Sequence, residues 1–436
     1  MTRFDLEGTR SVHHHRIRSK AIMSRMISRC RICGNEHLAP ILDLGEQVMS
    51  GIFPRSEAEQ VDTGPLQLVK CTGKPEEVCG LVQLAHTFDL EAMYGERYGY
   101  RSGLNASMVK HLHAKVGYIQ ETAPLRAGDL IVDIGSNDGT TLSAYPADLY
   151  DLVGVDPTGR KFASYYKPHI RLIPDFFSAE TLRRHLGERR ARVITSFSMF
   201  YDLEAPAEFM HEVIQMLEDD GIWVLEQSYL PTMLARNSYD TVCHEHLEYY
   251  ALAQIKWMTD RAGAKIIDVS FNDVNGGSFS LTVARKEAPQ PEFYGLSAIL
   301  EHETALGLDG LAPFRAFADR VEKSRDALRE FFQMARQKGA YVGALGASTK
   351  GNVLLQYCGV TTDDIAAVGE VNEDKFGAFT PGTLIPIIPE SELLKRNPDY
   401  LIVLPWHFKQ FFDNAPHLAG LKLVYPLPEI QIHQTN

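Results

Sequence analysis

The sequence predicts an α/β protein built from two doubly wound parallel sheets behind a small cysteine-bearing module. Apolar runs of strand length alternate with helix-like stretches, beginning with Leu130-Ile-Val-Asp-Ile134 and Leu152-Val-Gly-Val155. Such alternation is the pattern of βαβ units, in which a helix returns the chain to a parallel neighbouring strand. A second series, from Gly339-Ala-Tyr-Val-Gly-Ala-Leu-Gly346 to Tyr400-Leu-Ile-Val-Leu404, repeats the pattern. Four of the six cysteines lie ahead of both series, within residues 30–79.

Composition and charge exclude several classes of protein. The 436 residues suffice for two or three domains, at about 150 residues each. Lys and Arg number 44 against 56 Asp and Glu, which gives a formal net charge of −12. This acidity disfavours general binding to nucleic acid or to anionic membranes. The sequence contains neither an apolar run of membrane-spanning length nor a hydrophobic signal segment. We therefore expect a cytoplasmic monomer without a nucleic-acid or membrane partner.

The early cysteines have the spacing of a metal site. Cys30 and Cys33 form a Cys-x-x-Cys knuckle, and Cys71 and Cys79 follow with seven residues between them. Four thiolates on two turns suit tetrahedral zinc, although the second spacing is wider than the usual two to four residues. The alternative is four unrelated cysteines that pack as small apolar side chains. A full shell of four thiolates leaves no position for a substrate, so the predicted zinc is structural.

The first parallel series carries a cofactor-binding pattern. The strand at 130 runs into the turn Asp133-Ile-Gly-Ser-Asn-Asp-Gly139, and the next strand ends at Asp156. The 21-residue separation of Gly135 from Asp156 matches the interval between a glycine turn and a carboxylate that binds a ribose. The dinucleotide fingerprint Gly-x-Gly-x-x-Gly is absent, and Asp133 would repel a pyrophosphate. S-adenosylmethionine, which carries an amine and a sulfonium but no phosphate, is therefore favoured over NAD. The predicted cofactor contacts are Asp133, Gly135, Asn137, Gly139, Asp156, Asp175 and Ser196.

The second parallel series carries a turn that suits a phosphate. Gly346-Ala-Ser-Thr-Lys-Gly-Asn352 follows a strand, and small residues let the backbone of the next helix approach an anion. Lys350 adds a positive charge there. The spacing is not that of a P-loop, so hydrolysis of a nucleoside triphosphate is not indicated. The alternative is a turn that serves only packing.

Residues 240–250 read Asp-Thr-Val-Cys-His-Glu-His-Leu-Glu-Tyr-Tyr, an unusual density of groups that exchange protons. A solvated helix could hold such a run, but apolar stretches flank it, which favours catalysis. A His-x-His metal site at His244 and His246 is disfavoured, because i and i+2 point apart on a helix.

These motifs together resemble the sugar C-methyltransferase family, whose members use S-adenosylmethionine to methylate a carbon of nucleotide-linked 4-keto deoxyhexoses. The resemblance covers nearly all of the chain from Cys30. It rests on the four cysteines and on Tyr98-Gly-Tyr100-Arg-Ser102, Asp133–Gly139, His244-Glu-His246 with Tyr249-Tyr250, Gly276-Gly-Ser278, Gly346–Asn352 and Pro381-Gly-Thr383.

The resemblance implies a zinc module, a central Rossmann-like methyltransferase sheet and a C-terminal Rossmann-like domain that holds the nucleotide sugar. His246 matches the base that removes the C3 proton, and Glu245 matches the adjacent carboxylate. The expected catalytic residues are His246, Glu245, Tyr98, Tyr100 and Cys243. The expected substrate contacts are His244, Asn275, Gly277, Ser278, Ser348, Lys350, Asn352 and Glu370. The expected ranges are a flexible leader over 1–27, the zinc module over 28–88, the methyltransferase domain over 89–290 and the C-terminal domain over 291–436.

Two departures from the family pattern bear on the substrate. Some members carry a tyrosine in place of Cys243, and an Asn-x-x-x-His near the fourth strand is replaced by Ser198-Met-Phe-Tyr-Asp202. The predicted reaction is C3 methylation of a dTDP- or GDP-linked 4-keto-6-deoxyhexose. Two other functions stay open from the sequence: a nucleotide-sugar epimerase, which needs the same proton abstraction, and a nucleotide-sugar binding protein that lacks catalysis.

Overall fold

The computed structural model describes residues 24–89, 93–94 and 99–435. The predicted catalytic residue Tyr98 and most of the predicted leader lie outside these ranges. The strands are β1 (Arg25–Met26), β2 (Leu38–Val48), β3 (Thr63–Cys71), β4 (Val82–Leu84), β5 (His86–Thr87), β6 (Leu130–Ile134), β7 (Asp151–Val155), β8 (Ile170–Ile173), β9 (Ala191–Phe197), β10 (Leu217–Ser228), β11 (Glu248–Tyr249), β12 (Ala264–Asn272), β13 (Ser278–Arg285), β14 (Val342–Leu345), β15 (Val368–Glu370), β16 (Ile387–Pro389), β17 (Tyr400–Val403), β18 (Lys422–Tyr425) and β19 (Gln431–Gln434).

The α-helices lie mostly between the strands, as expected for βαβ units. They are Ala106–Thr122, Gly159–Phe162, Ala179–Leu186, Pro206–Met216, Leu230–Ala235, Leu252–Arg261, Leu296–Ala305, Ala312–Gln337, Thr349–Tyr357, Glu390–Lys395 and Lys409–Asp413. No helix in the described part of the chain combines the length and the apolar character that a membrane crossing requires.

The central sheet has the strand order β12-β13-β10-β9-β6-β7-β8, and only β13 runs antiparallel to its neighbours. Every residue of β6 is buried, because helices cover both faces of such a sheet. The chain leaves β6 for β7 on one side and later returns to β9 on the other. Ligands of doubly wound sheets bind at the carboxyl ends of the strands at this reversal. The predicted doubly wound sheet is confirmed.

The C-terminal sheet has the order β16-β15-β14-β17-β18-β19 and is parallel except for the edge strand β19. Its strand order reverses between β14 and β17, directly before the turn that leads into the helix Thr349–Tyr357. The long helix Ala312–Gln337 precedes this sheet and buries an apolar stripe that includes Phe314, Phe317 and Phe331. The second α/β domain is therefore confirmed.

The N-terminal module is an antiparallel sheet of order β11-β4-β3-β2. Its strand β11 consists of residues 248–249, which lie far along the chain and follow Cys243-His-Glu-His246 closely. A small second sheet pairs Arg25–Met26 with His86–Thr87. The described part of the module thus includes residues a few positions ahead of the expected start at 28.

Candidate active site

The four predicted metal ligands lie together. The Sγ atoms of Cys30, Cys33, Cys71 and Cys79 are all within 4.8 Å of one another. Two of the pairs, Cys30 with Cys79 and Cys33 with Cys71, are 3.5 Å apart. A tetrahedron of sulfurs about 2.3 Å from zinc has edges of about 3.8 Å, so the cluster fits this ion. The buried ammonium of Lys70, which donates to the Gly80 carbonyl at 2.8 Å, offsets part of the negative charge of four thiolates.

A first cavity of about 200 Å³ lies at the carboxyl ends of β6, β7 and β9. Gly135 stands in its wall with φ of +71°, and a Cβ there would be 2.9 Å from the Met199 side chain. Only glycine therefore lets the turn approach this cavity without strain. Asp156 accepts the backbone N–H groups of Asn137 and Thr158, each at 2.7 Å. These donors fix its carboxylate at the end of β7, in the position that binds a ribose diol.

Asp133 also lines the first cavity but is more enclosed than a surface carboxylate. Burial raises the pKa of Asp133 to about 7, although the Thr195 hydroxyl donates to it at 2.6 Å. Glu226 and Asp202 line the same cavity. A lining of carboxyl groups suits a ligand that carries an amine and a sulfonium, because such a ligand favours their ionised forms, better than one that carries phosphates.

The glycine turn also fastens the segment that precedes the first long helix. The side chain of Asn137 accepts from the Ser102 N–H at 3.0 Å and donates to the Tyr100 carbonyl at 3.2 Å. Asp138 accepts the Gly103 N–H at 2.9 Å. Gly139, with φ of +75°, closes the turn. The glycine turn, residues 133–139, which we call the cofactor turn, therefore holds Tyr100 in place. Tyr100 lines both this cavity and a second, larger one.

Three predicted cofactor contacts, Gly139, Asp175 and Ser196, do not line either of the two cavities. Asp175 is exposed and accepts the N–H of the next residue, Phe176, at 2.8 Å. Phe176 occupies the cavity wall at this position. The Ser196 hydroxyl is fully buried and accepts from the Trp223 indole N–H at 2.9 Å. Asp175 and Ser196 both stand at strand ends, but their side chains point away from the cavity.

The predicted cofactor contacts did not include a polar cluster around Glu226 at this cavity. The Glu226 carboxylate, 3% exposed, lies 2.5 Å from His111 Nε2 and 2.8 Å from Lys115 Nζ. It also accepts from Asn272 at 2.9 Å. Burial would raise the pKa of Glu226, but the hydrogen bond of His111 and the charge of Lys115 lower it below its ordinary value. His111 and Lys115 are four residues apart and so lie on one face of a helix, and this spacing could have indicated the cluster from the sequence.

A second cavity of about 850 Å³ adjoins the first. It lies between the central sheet, the N-terminal module and the C-terminal domain. Five residues line both cavities: Tyr94, Tyr100, Met108, Ser198 and Asp202. A ligand in the larger cavity can therefore approach the reactive end of a ligand in the smaller one.

His246 lines the larger cavity. Its Nδ1 lies 2.8 Å from the Thr241 carbonyl, which can only accept, so Nδ1 carries the proton. The other nitrogen, Nε2, then presents a lone pair. Burial, followed by the charge of Lys350, lowers the pKa of His246 to about 4. The imidazole is therefore neutral at physiological pH and is available as a base.

Glu245 and Cys243 line the same cavity as His246. Burial raises the pKa of Glu245 above its ordinary value. Burial and the neighbouring Glu245 raise the pKa of the Cys243 thiol well above its ordinary value, so Cys243 is a neutral thiol rather than a nucleophile. Glu245 Oε2 has no hydrogen-bond partner among the described residues. An unpaired buried acceptor of this kind is satisfied when a ligand supplies a donor.

His244, in contrast, does not line the cavity. Its side chain is fully buried, and Nε2 lies 3.1 Å from the Gly64 carbonyl in the N-terminal module. The Phe88 ring packs edge-on against it at 4.9 Å. These are the contacts of a packing residue, whereas the sequence led us to expect His244 at the substrate.

Tyr201 and Asp202, from the segment that departs from the family pattern, line the larger cavity although neither was among the expected site residues. The Tyr201 ring lies 4.3 Å from the His246 ring. Burial raises the pKa of Asp202 well above its ordinary value. Its Oδ1 has no hydrogen-bond partner in the described ranges.

Several basic side chains line the larger cavity. Lys350 Nζ donates to the Asn275 carbonyl at 2.6 Å, and Arg236 Nη1 donates to the Gly276 carbonyl at 3.0 Å. Ser348 caps the helix Thr349–Tyr357 by accepting the Gly351 N–H at 3.1 Å. Ser348, Lys350, Asn275 and Arg236 all line the cavity, together with His407 and Lys409. A helix N-terminus beside two or three cations suits a diphosphate.

Besides His244, four expected substrate contacts lie outside both cavities. The Asn352 amide donates to the Ser50 carbonyl at 2.8 Å and so joins the C-terminal domain to the N-terminal module. Glu370 accepts the N–H groups of the two residues that follow it. Gly277, with φ of +126°, and Ser278, whose hydroxyl donates to the Val274 carbonyl at 2.9 Å, shape the turn at Asn275.

The fold and these cavities define a class of protein. A doubly wound sheet with a glycine turn after β6, a carboxylate after β7 and an acidic cavity between them is that of an S-adenosylmethionine-dependent methyltransferase. Three family models match the chain in order: a zinc binding domain over residues 30–94, a methyltransferase domain over 109–269 and a C-methyltransferase C-terminal domain over 273–428. The C-methyltransferase NovU of Streptomyces niveus is 28% identical over 415 residues, which cover 94% of this chain and 97% of the relative. The chain is an S-adenosylmethionine-dependent C-methyltransferase, and these matches support the resemblance to the sugar C-methyltransferase family.

Solved structures give more distant likenesses. The CcbJ methyltransferase of Streptomyces caelestis is 14% identical, covers 40% of this chain and 89% of its own, and superposes with a TM-score of 0.31. The plantazolicin methyltransferase BpumL in complex with SAH is 12% identical, covers 40% of this chain and 82% of its own, and has a TM-score of 0.32.

Proposed function

We propose that the protein transfers a methyl group to C3 of a dTDP- or GDP-linked 4-keto-6-deoxyhexose. One observation carries this proposal: the unprotonated Nε2 of a buried, neutral His246 belongs to a cavity that shares a wall with the cofactor cavity. A base in this place can remove a proton from a carbon that stands next to the methyl donor. Proximity of this kind lowers the barrier of a two-substrate reaction by several kcal/mol, roughly 7–11 in favourable cases.

The proton that His246 removes must be acidic. The C4 ketone acidifies the C3–H bond, since its electrons pass to the ketone oxygen as an enolate forms. S-adenosylmethionine supplies an electrophilic methyl group on a sulfonium. The C3 carbon forms the new C–C bond as the S–CH₃ bond breaks, and the proton stays on His246 Nε2. Tyr100 lines both cavities and is our candidate donor to the enolate oxygen.

The remaining residues of the larger cavity bind and orient the sugar nucleotide. Lys350 and Arg236 face it with positive charge, beside the N-terminus of the helix Thr349–Tyr357. This arrangement suits the diphosphate. Glu245 and Asp202 line the same cavity and accept hydrogen bonds from sugar hydroxyls through oxygens that lack partners among the described residues.

The test is a reaction of the purified protein with S-adenosylmethionine and each 4-keto-6-deoxyhexose nucleotide, followed by mass spectrometry and NMR. We expect one methyl group in place of one hydrogen, with loss of the C3 proton signal. Methyl transfer to C5 would contradict the regiochemistry. Proton exchange or inversion without methylation would indicate an epimerase, and absence of reaction with every 4-keto sugar would refute the proposal.

A further inference from the structure

The segment that carries the base is ordered by the zinc module rather than by the central sheet alone. We call residues 240–247 the catalytic loop. This loop ends in β11, which pairs with β4 so that Glu248 lies opposite Gln83 and Tyr249 opposite Val82. The Leu84 N–H donates to the Leu247 carbonyl at 2.8 Å. Leu247 directly follows the base, so the last turn of the loop depends on β4.

Arg31 connects the metal knuckle to both strands. It stands between the ligands Cys30 and Cys33. Its Nη1 donates to the Leu84 carbonyl at 2.7 Å, and its Nη2 donates to the His86 carbonyl at 2.9 Å. Its Nε lies 3.7 Å from Glu248 Oε1, with the two side chains 4% and 0% exposed. A planar guanidinium presents five N–H donors in a fixed fork, which lets it hold three partners in different directions at once.

Two further contacts hold the catalytic loop against the same module. His244 lies 3.1 Å from the Gly64 carbonyl of β3. Glu245 packs against Gly51 so closely that a Cβ at residue 51 would be 2.5 Å from its Oε1. The residues on either side of Glu245 and His246 are thus fixed from the zinc module.

We propose that Arg31 is a positioning residue for His246, and that zinc acts on catalysis through it. The metal fixes the Cys30–Cys33 knuckle, the knuckle fixes the Arg31 guanidinium, and Arg31 fixes β4 and β11 at the end of the catalytic loop. The kinetic part of this inference rests on the proposed function of His246. Because a misplacement of about 1 Å can cost roughly 100-fold in rate, loss of Arg31 is expected to lower kcat about 10- to 100-fold.

The first test measures the loop directly and requires no substrate. Hydrogen–deuterium exchange is followed by mass spectrometry in the wild type, in Arg31→Met and in Glu248→Gln, with zinc content measured in each. We expect faster exchange in peptides over 240–250 in both variants, and unchanged exchange over the cofactor turn 133–139. Arg29→Met is the matched control, because Arg29 precedes the same knuckle but pairs with Glu36 on the surface. Unchanged exchange over 240–250 in both variants would overturn the inference.

The second test separates positioning from folding. The dissociation constant of S-adenosylmethionine, kcat, and KM for the sugar nucleotide are measured per bound zinc. We expect kcat per zinc to fall in Arg31→Met while the affinity for S-adenosylmethionine holds. A kcat per zinc equal to that of the wild type would show that Arg31 serves only folding and would overturn the inference. If the wild type methylates no 4-keto sugar, the proposed function fails, and the exchange measurement still decides on Arg31.

Discussion

The pH dependence of methyl transfer gives the sharpest test of the environment of His246. The pKa of this imidazole is lowered from 6.5 to about 4 by burial and then by the charge of Lys350. At pH 5.5 an imidazole with a pKa of about 6.5 is roughly 9% neutral, whereas one with a pKa of about 4 is roughly 97% neutral. Since the neutral form is the base, its activity is lost only as pH falls through the pKa of the folded protein. Asp133 in the cofactor cavity has a pKa of about 7, so the cofactor is kept saturating. Between pH 7.5 and 5.5 we then expect kcat/KM for the sugar nucleotide to be nearly constant rather than to fall about tenfold.

The assay is release of the demethylated cofactor product from pH 4.5 to 8.5. Lys350→Met removes a charge that lowers the pKa of His246, so its acid limb is expected to move upward. His246→Asn removes the base, and its rate is expected to fall roughly 10²- to 10⁴-fold while binding of S-adenosylmethionine holds. A tenfold fall in wild-type kcat/KM by pH 5.5, or a rate for His246→Asn within a few-fold of the wild type, would refute the assignment.

Further predictions concern four other residues of the two cavities, the catalytic loop and the cysteine cluster. His244→Asn is expected to lower the free energy of unfolding by about 1–3 kcal/mol, since a buried hydrogen bond to Gly64 is lost; urea denaturation checks this. Asp156→Ala is expected to weaken binding of S-adenosylmethionine about 10- to 100-fold by calorimetry, and an unchanged affinity would contradict its assignment to the ribose. Asp202→Leu is expected to raise KM for the sugar nucleotide about tenfold, whereas a change confined to cofactor binding would place Asp202 at the cofactor. Cys33→Ser is expected to lower zinc content and the thermal midpoint together, and full zinc retention would exclude Cys33 as a ligand.

The elements that periodicity governs could be predicted from the sequence. The runs that became β6, β7, β9 and β14 are mostly apolar and almost wholly buried, as strands of a covered parallel sheet are. The glycine turn and Asp156 follow from the spacing within one βαβ unit. The zinc ligands follow from chemistry, because four thiolates near one another are favourable chiefly around a metal.

The direction in which each side chain of the site points could not be predicted from the sequence. His244 and His246 are two residues apart and chemically alike, yet one packs on Gly64 and the other enters the cavity. The pairing of β11 with β4, a contact between distant parts of the chain, decides between them. Ser196 stands at the end of β9 as expected, but its hydroxyl turns toward Trp223. Tyr201 and Asp202 drew notice only as a departure from a pattern, since nothing local shows that they reach a cavity.

The most direct test of the central claim is exchange of the C3 proton of the 4-keto sugar nucleotide in deuterated water. In this experiment the demethylated cofactor product is added in place of S-adenosylmethionine, so the enolate cannot be methylated and can only take up deuterium. We predict that the wild type introduces deuterium at C3 and that His246→Asn does not, while both bind the sugar nucleotide. Equal exchange in the two proteins, or deuterium at another carbon, would contradict the claim that His246 removes the C3 proton.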